Sequence, residues 1–217
     1  MRDQPTPRET QLRLLWIAGL LLIGQLGAMV VLNEWIMTEQ VRRGILGDQL
    51  PEEMLEQAVR FAQTAELVGY LALPLSTALR IGVNGLILAV SLRICGRPVR
   101  GRTLVEPLLW GQWLLLAGTW MQVGWLATLS PAERIGGALH RMPGSLGLFL
   151  PRHILGLVPD PLVTLVESIT LFELGQYLLL ALLLPTKRGP SQTEAALGTT
   201  GLFAVHLIAR LLLLSGH

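Results

Sequence analysis

The chain has 217 residues, of which 51% are hydrophobic and only 15% charged; its mean hydropathy is +0.52. A soluble domain carries about 25% charged residues, so this composition excludes an ordinary soluble enzyme or binding module and indicates an integral membrane protein. Seventeen basic residues against fifteen acidic ones give a net charge of +2, which is too small to argue for a nucleic-acid partner.

About 20 apolar residues at 1.5 Å each cross a hydrocarbon core. By that measure the chain reads as a single all-α membrane domain over residues 1–217, a polytopic transmembrane helical bundle of about five spans. They run from about Leu14 to Ile36, Leu67 to Ile94, Leu104 to Leu129, Leu162 to Leu184 and Thr199 to Ser215, the last being the shortest. The first is expected to stay in the mature protein, because its apolar run is too long for a signal peptide and no small-residue cleavage pattern follows it.

Lys and Arg are held back on the cytoplasmic side during insertion. Arg2, Arg8 and Arg13, then Arg93, Arg97, Arg100 and Arg102, then Lys187 and Arg188, all fall on one face of a five-span chain. Arg42, Arg43, Arg60, Arg134, Arg141 and Arg152 fall on the other, spread over two long loops at residues 37–66 and 130–161 where the rule is weaker. The amino terminus is therefore expected inside and the carboxyl terminus outside.

In the first outer loop, Leu50-Pro51-Glu52-Glu53 reads as a helix start, with proline early and acids in the first turn. Met54, Leu55, Ala58, Val59, Ala62 and Leu67 then recur at helical spacing, which predicts an amphipathic helix leading into the second span. The second outer loop carries the short apolar runs Leu146–Leu150 and Ile154–Val158, suited to lying in the interface or in the top of the bundle. His140 and His153 are too far apart for a metal motif, and lone Cys95 supports neither a disulfide framework nor a zinc site. Cys95 reads as a small apolar residue, with palmitoylation as the alternative.

Ionisable residues inside spans are costly and must face protein or water. Arg80 lies midway along the second span and Glu173 midway along the fourth, so similar depth predicts an ion pair between them. Asn84 follows Arg80 by four residues and Gln176 follows Glu173 by three, extending a polar seam to which Gln112 and Gln122 are candidate additions. Glu167 and Arg210, nearer the outer face, form a second candidate pair. His206, alone on a leucine-rich helix, reads as hydrogen-bonded packing. Taken together, Arg80, Asn84, Glu167, Glu173, Gln176, His206 and Arg210 have two readings: a buried network that sets which helices pack, or a proton, ion or polar-solute path.

Gly19, Gly24, Gly27, Gly82 and Gly85 offer sites of close helix approach, without a GxxxG motif. Pro74 is a candidate kink, and Trp110, Trp113, Trp120 and Trp125 read as interfacial anchors. The signatures GxSxG, HExxH and GxxxxGK[ST] are missing, so no catalytic, cofactor-binding or metal residues are expected and the chain reads as no enzyme.

Three segments carry a family resemblance. The turn Gly96-Arg97-Pro98-Val99-Arg100-Gly101-Arg102 resembles the short Gly-basic turn of Yip1-domain membrane proteins. The stretch Leu165-Val166-Glu167-Ser168-Ile169-Thr170-Leu171-Phe172-Glu173-Leu174 is similar to the start of that family's fourth span, and Leu50-Pro51-Glu52-Glu53-Met54-Leu55-Glu56 to a stretch before the second span in bacterial members. The resemblance covers about Leu14 to Leu214. It implies a five-helix bundle in a bacterial inner membrane with the amino terminus cytoplasmic. It also implies a non-enzymatic scaffold or accessory subunit of a larger membrane assembly, with lipid and a membrane-protein partner or a second copy of itself as associates. The family's Tyr-Gly-Pro-type motif for small GTPases is absent here, and only about a dozen residues precede the first span. A small transporter or channel using Arg80, Glu173 and His206 is the competing expectation.

Overall fold

The computed structural model describes residues 7–47, 51–97, 99–135, 143–148, 160–185 and 190–215. Helix makes up 89% of them and no strand is found among them. Arg2, His140, Arg141, Arg152, His153, Lys187 and Arg188 lie outside the described residues, as do 149–150 and the loop run 154–158.

The first helix, α1 (Pro7–Val30), passes directly into a π-helical turn at Val31–Ile36, ending where the apolar run of the sequence ends. A short helix that hydrophobic spacing did not single out, α2 (Glu39–Gly47), follows. The expected amphipathic helix and second span are one unbroken helix, α3 (Glu52–Ile94), which runs through Pro74. Its 43 residues extend about 64 Å, far beyond a hydrocarbon core of about 30 Å. The excess turns project from the bundle and pack on α2, where Arg42 and Glu66 form an ion pair of 2.6 Å with both side chains mostly buried.

A Schellman motif closes α3. The Arg97 amide donates to the Leu92 carbonyl and the Gly96 amide to Arg93, each at 3.0 Å. Gly96 has φ +83°, a left-handed backbone that residues with a Cβ resist. The chain then reverses into α4 (Gly101–Thr128). At the far end of α4 the five-residue α5 (Pro131–Ile135) sets Arg134 across three carbonyls: Leu126 at 2.9 Å, Ile36 at 3.0 Å and Ala127 at 3.4 Å. One guanidinium thereby ties the ends of α1 and α4 together.

The largest departure from the sequence expectation is the fourth span. Instead of one helix over Leu162–Leu184 the chain forms α6 (Asp160–Ser168) and α7 (Leu171–Leu183), broken at Ile169 and Thr170. Thr170 and Glu173 form a capping box: the Glu173 amide donates to the Thr170 hydroxyl, and the Thr170 amide donates to the Glu173 carboxylate, each at 3.2 Å. A helix start is thus written into the middle of an apolar run. The last helix, α8 (Gln192–Ser215), has 24 residues and begins well before Thr199, because Ser191 and Glu194 form a second box, Ser191 N to Glu194 Oε2 at 2.7 Å.

Helix α4 sits at the centre. It packs on α1, α3 and α7, while α8 lies against α3 and α7. Leu88, Leu92, Leu104, Leu108, Leu180, Leu184, Ala195 and Leu202 form one buried cluster among α3, α4, α7 and α8. Leu21, Leu109 and Leu116 join α1 to α4. Outside this core the apolar surface is broad: Leu71 is 84% exposed, and Leu75 and Leu79 follow it at four-residue spacing on α3. A soluble monomer rarely exposes contiguous apolar patches larger than a few hundred Å². Three segments, Arg8–Ile36, Met54–Ile94 and Gln192–Leu214, are long and apolar enough to cross a membrane. Helix α4 has the length but carries Gln112, Gln122 and four tryptophans, and α7 is apolar but has only 13 residues.

Candidate functional site

A break inside an apolar helix frees backbone groups that lipid cannot satisfy. Here most of the groups freed near the break have partners in the protein. The Leu146 amide donates to the Ile169 carbonyl and the Leu171 amide to the Gly144 carbonyl, both at 2.8 Å, so Ser145 lies opposite Thr170 as an isolated antiparallel bridge. Gly144, at φ +80°, makes the turn that delivers this segment. The Ser168 carbonyl accepts from Arg210 at 3.1 Å, the Thr170 amide is taken by Glu173, and the Thr170 carbonyl accepts from the Leu174 amide at 3.1 Å. The segment from Gly144 to Leu146 therefore bridges the break between α6 and α7.

Beside the break lies an open cavity of about 510 Å³ lined by residues of α3, α4, α7 and α8 together with Pro143 and Ser168. Its walls include Arg80 and Asn84 from α3, Thr119 and Gln122 from α4, Glu173, Gln176 and Tyr177 from α7, and His206 and Arg210 from α8. Six of the seven residues in the predicted polar network thus face one space. Glu167 does not line it; that side chain packs on Gly147, where a Cβ would lie 2.5 Å from Glu167 Cγ.

The charge pairing differs from the expectation. Glu173 pairs with Arg210, whose guanidinium contacts both carboxylate oxygens. Among the described residues Arg80 has no ion pair, and neither Arg80–Glu173 nor Glu167–Arg210 forms. The helix break explains the change. It moves Glu173 from the middle of a long helix to the first turn of a short one, where its carboxylate serves Thr170 and faces α8.

His206 bridges α7 and α3. Its Nε2 lies 3.1 Å from Asn84 Oδ1 and its Nδ1 meets the Tyr177 hydroxyl. A neutral imidazole protonated on Nε2 satisfies both contacts, since the Asn84 oxygen only accepts and the phenol donates. The Tyr177 ring also meets Phe203 edge to face at a centroid distance of 5.0 Å.

Two glutamines carry unpartnered amides. Gln176 is 4% exposed and its Nε2 has no hydrogen-bond partner; Gln112 is 1% exposed and neither of its amide atoms has one. Leaving a buried polar group unpaired costs about 1–3 kcal/mol, so such a group calls for a specific explanation, of which a ligand is one. Gln176 lines the cavity.

A second cavity of about 340 Å³ adjoins the first. It lies between α1 and α3, lined by Gln25, Thr77 and Arg80 among others, and Thr77 donates to Gln25 at 2.9 Å. Arg80 and Thr119 belong to both walls.

Sequence reasoning missed Tyr177, Thr119 and Thr170 as members of the site. Tyr177 was legible as the residue four after Glu173, on the same helical face. Thr170-Leu171-Phe172-Glu173 carries the spacing of a capping box, a signal for the break itself. Among the described residues no group of three His, Cys, Asp or Glu side chains is placed to hold a metal ion. No protein-family model, no curated protein and no solved structure matches the chain.

Proposed function

We propose that this chain is a five-span membrane protein that binds a polar solute in the cavity beside the α6–α7 break and carries it across the bilayer. The observation that carries the reading is the discontinuous helix: protein groups bind the backbone on both sides of the break, and the break borders a cavity lined by Arg80, which has no ion pair among the described residues, and by Gln176 with its unpartnered amide. Irregular backbone at membrane depth is tolerated where it lines a cavity, and broken helices form the binding sites of many carriers.

Two segments complete the count of five. Helix α4 tolerates its glutamines because α1, α3 and α7 cover it, and α6 with α7 crosses as a broken pair. The loop arginines put the amino terminus in the cytoplasm. A structural network alone needs no open space or free charge at its centre, so the geometry favours solute binding over the scaffold role that the Yip1-like segments imply.

Flux into liposomes tests this. Purified protein is reconstituted and uptake of labelled glycerol, glutamate and phosphate is compared with protein-free vesicles and with the Glu173→Gln variant. Protein-dependent uptake of at least one solute, reduced in the variant, is expected. Absence of any flux, together with a stoichiometric membrane partner that co-purifies in mild detergent, would replace the carrier reading with the scaffold.

A further inference from the structure

Among the described residues, two guanidinium groups and one carboxylate line the main cavity. The Glu173 carboxylate is engaged by Arg210 and by the Thr170 amide, so its charge is compensated locally. Among the described residues Arg80 is the remaining charge. It sits near the middle of the apolar part of α3, where an uncompensated cation is costly, it is exposed to the open cavity, and among the described residues no carboxylate forms an ion pair with it. Water in the cavity lowers that cost. A bound anion cancels it.

Neutral groups on the same walls point the same way. Gln176, whose side chain borders the cavity, carries a donor, Nε2, that is buried beside Gly111 and without an acceptor, so a turn of the amide would bring it to a ligand. Asn84 spends its carbonyl oxygen on His206, leaving its amide nitrogen as the group available to a ligand. Guanidinium beside amide donors is the chemistry that recognises planar or tetrahedral oxyanions. A volume of about 510 Å³ lies within the usual range for small-molecule sites.

From this we infer that the cavity takes a compact oxyanion, a carboxylate or phosphate group, held by Arg80 with the Gln176 amide as a second donor. The inference rests on the solute-binding reading and narrows it to one chemical class. Because Arg80 borders both cavities, the same guanidinium can meet the anion from either chamber.

The experiment is a thermal titration of the purified full chain in detergent with sodium phosphate, sodium acetate, glycerol and sodium chloride. A saturable rise in melting midpoint with phosphate or acetate, absent with glycerol and chloride, is expected. Arg80→Gln should abolish the rise and Arg80→Lys should retain a weaker one. Gln176→Met removes an unpartnered buried amide, so the ligand-free midpoint should hold or increase while oxyanion affinity falls about tenfold; this variant decides the matter if Arg80→Gln does not fold. A rise seen only with added phosphatidylglycerol assigns the oxyanion to a lipid headgroup and keeps the chemistry. Equal shifts with glycerol or chloride, or phosphate binding indifferent to both Arg80→Gln and Gln176→Met, overturn it. Glycerol flux through liposomes without any oxyanion binding sinks the oxyanion and leaves the carrier; oxyanion binding with no flux of any solute does the reverse.

Discussion

Which arginine answers Glu173 is settled by which helix face meets the first turn of α7. Arg210 contacts both carboxylate oxygens and also caps the Ser168 carbonyl, so one side chain serves the ion pair and the broken backbone together. Breaking a buried pair costs about 3–5 kcal/mol, whereas replacing both partners by apolar residues costs far less. With side chains 33% and 24% exposed, Arg210→Leu or Glu173→Leu alone is expected near the lower figure, about 3 kcal/mol. The double variant should lose much less than the sum. A cycle of Arg80→Leu with Glu173→Leu, measured by the same denaturant titration in detergent, should be additive; strong coupling there and none with Arg210 would contradict the pairing.

At the scale of elements, the helices are held by small residues whose partners only the fold reveals. A Cβ at Gly118 would lie 2.8 Å from Phe172, one at Gly111 2.9 Å from Gln176 and one at Gly175 2.8 Å from Leu114. These three glycines let α4 and α7 approach. Gly24, Gly27 and Gly85 also face neighbours, but Gly19 and Gly82 look onto open space, so the expectation that these two serve packing is corrected. The sign of a substitution should separate the two groups. Gly118→Val and Gly175→Val force overpacking and should cost about 1–3 kcal/mol; Gly19→Ala and Gly82→Ala should gain about 0.5–1 kcal/mol from helix propensity alone. Unfolding titrations of the four variants provide the check, and a neutral Gly118→Val would mean that α4 and α7 do not pack as described.

For the whole molecule, the ion pairs Arg13–Glu106 at 2.9 Å and Arg97–Glu194 at 3.1 Å place the start of α1, the end of α3 and the starts of α4 and α8 at one end of the bundle. That end carries the dense loop arginines. Reporter fusions after Arg102, Ser145 and His217 are expected to read cytoplasm, exterior and exterior. A cytoplasmic signal at His217 would mean that α8 does not cross, and one at Ser145 would reverse the arrangement of the broken segment.

Hydropathy and spacing by themselves determined the helical class, the membrane-spanning length of three segments and the helical character of α4, because these depend on composition along one dimension. The Thr170-x-x-Glu173 spacing also held the signal for a break, though an apolar run on both sides hid it. What only the tertiary structure decided was the pairing. Depth along a sequence says nothing of helix rotation, and rotation determines whether Glu173 meets Arg80 or Arg210. Nor does a sequence show that Gly144 and Leu146 supply the hydrogen bonds that make a broken helix tolerable. Those bonds join residues more than twenty positions apart along the chain, a pairing that composition and spacing do not encode.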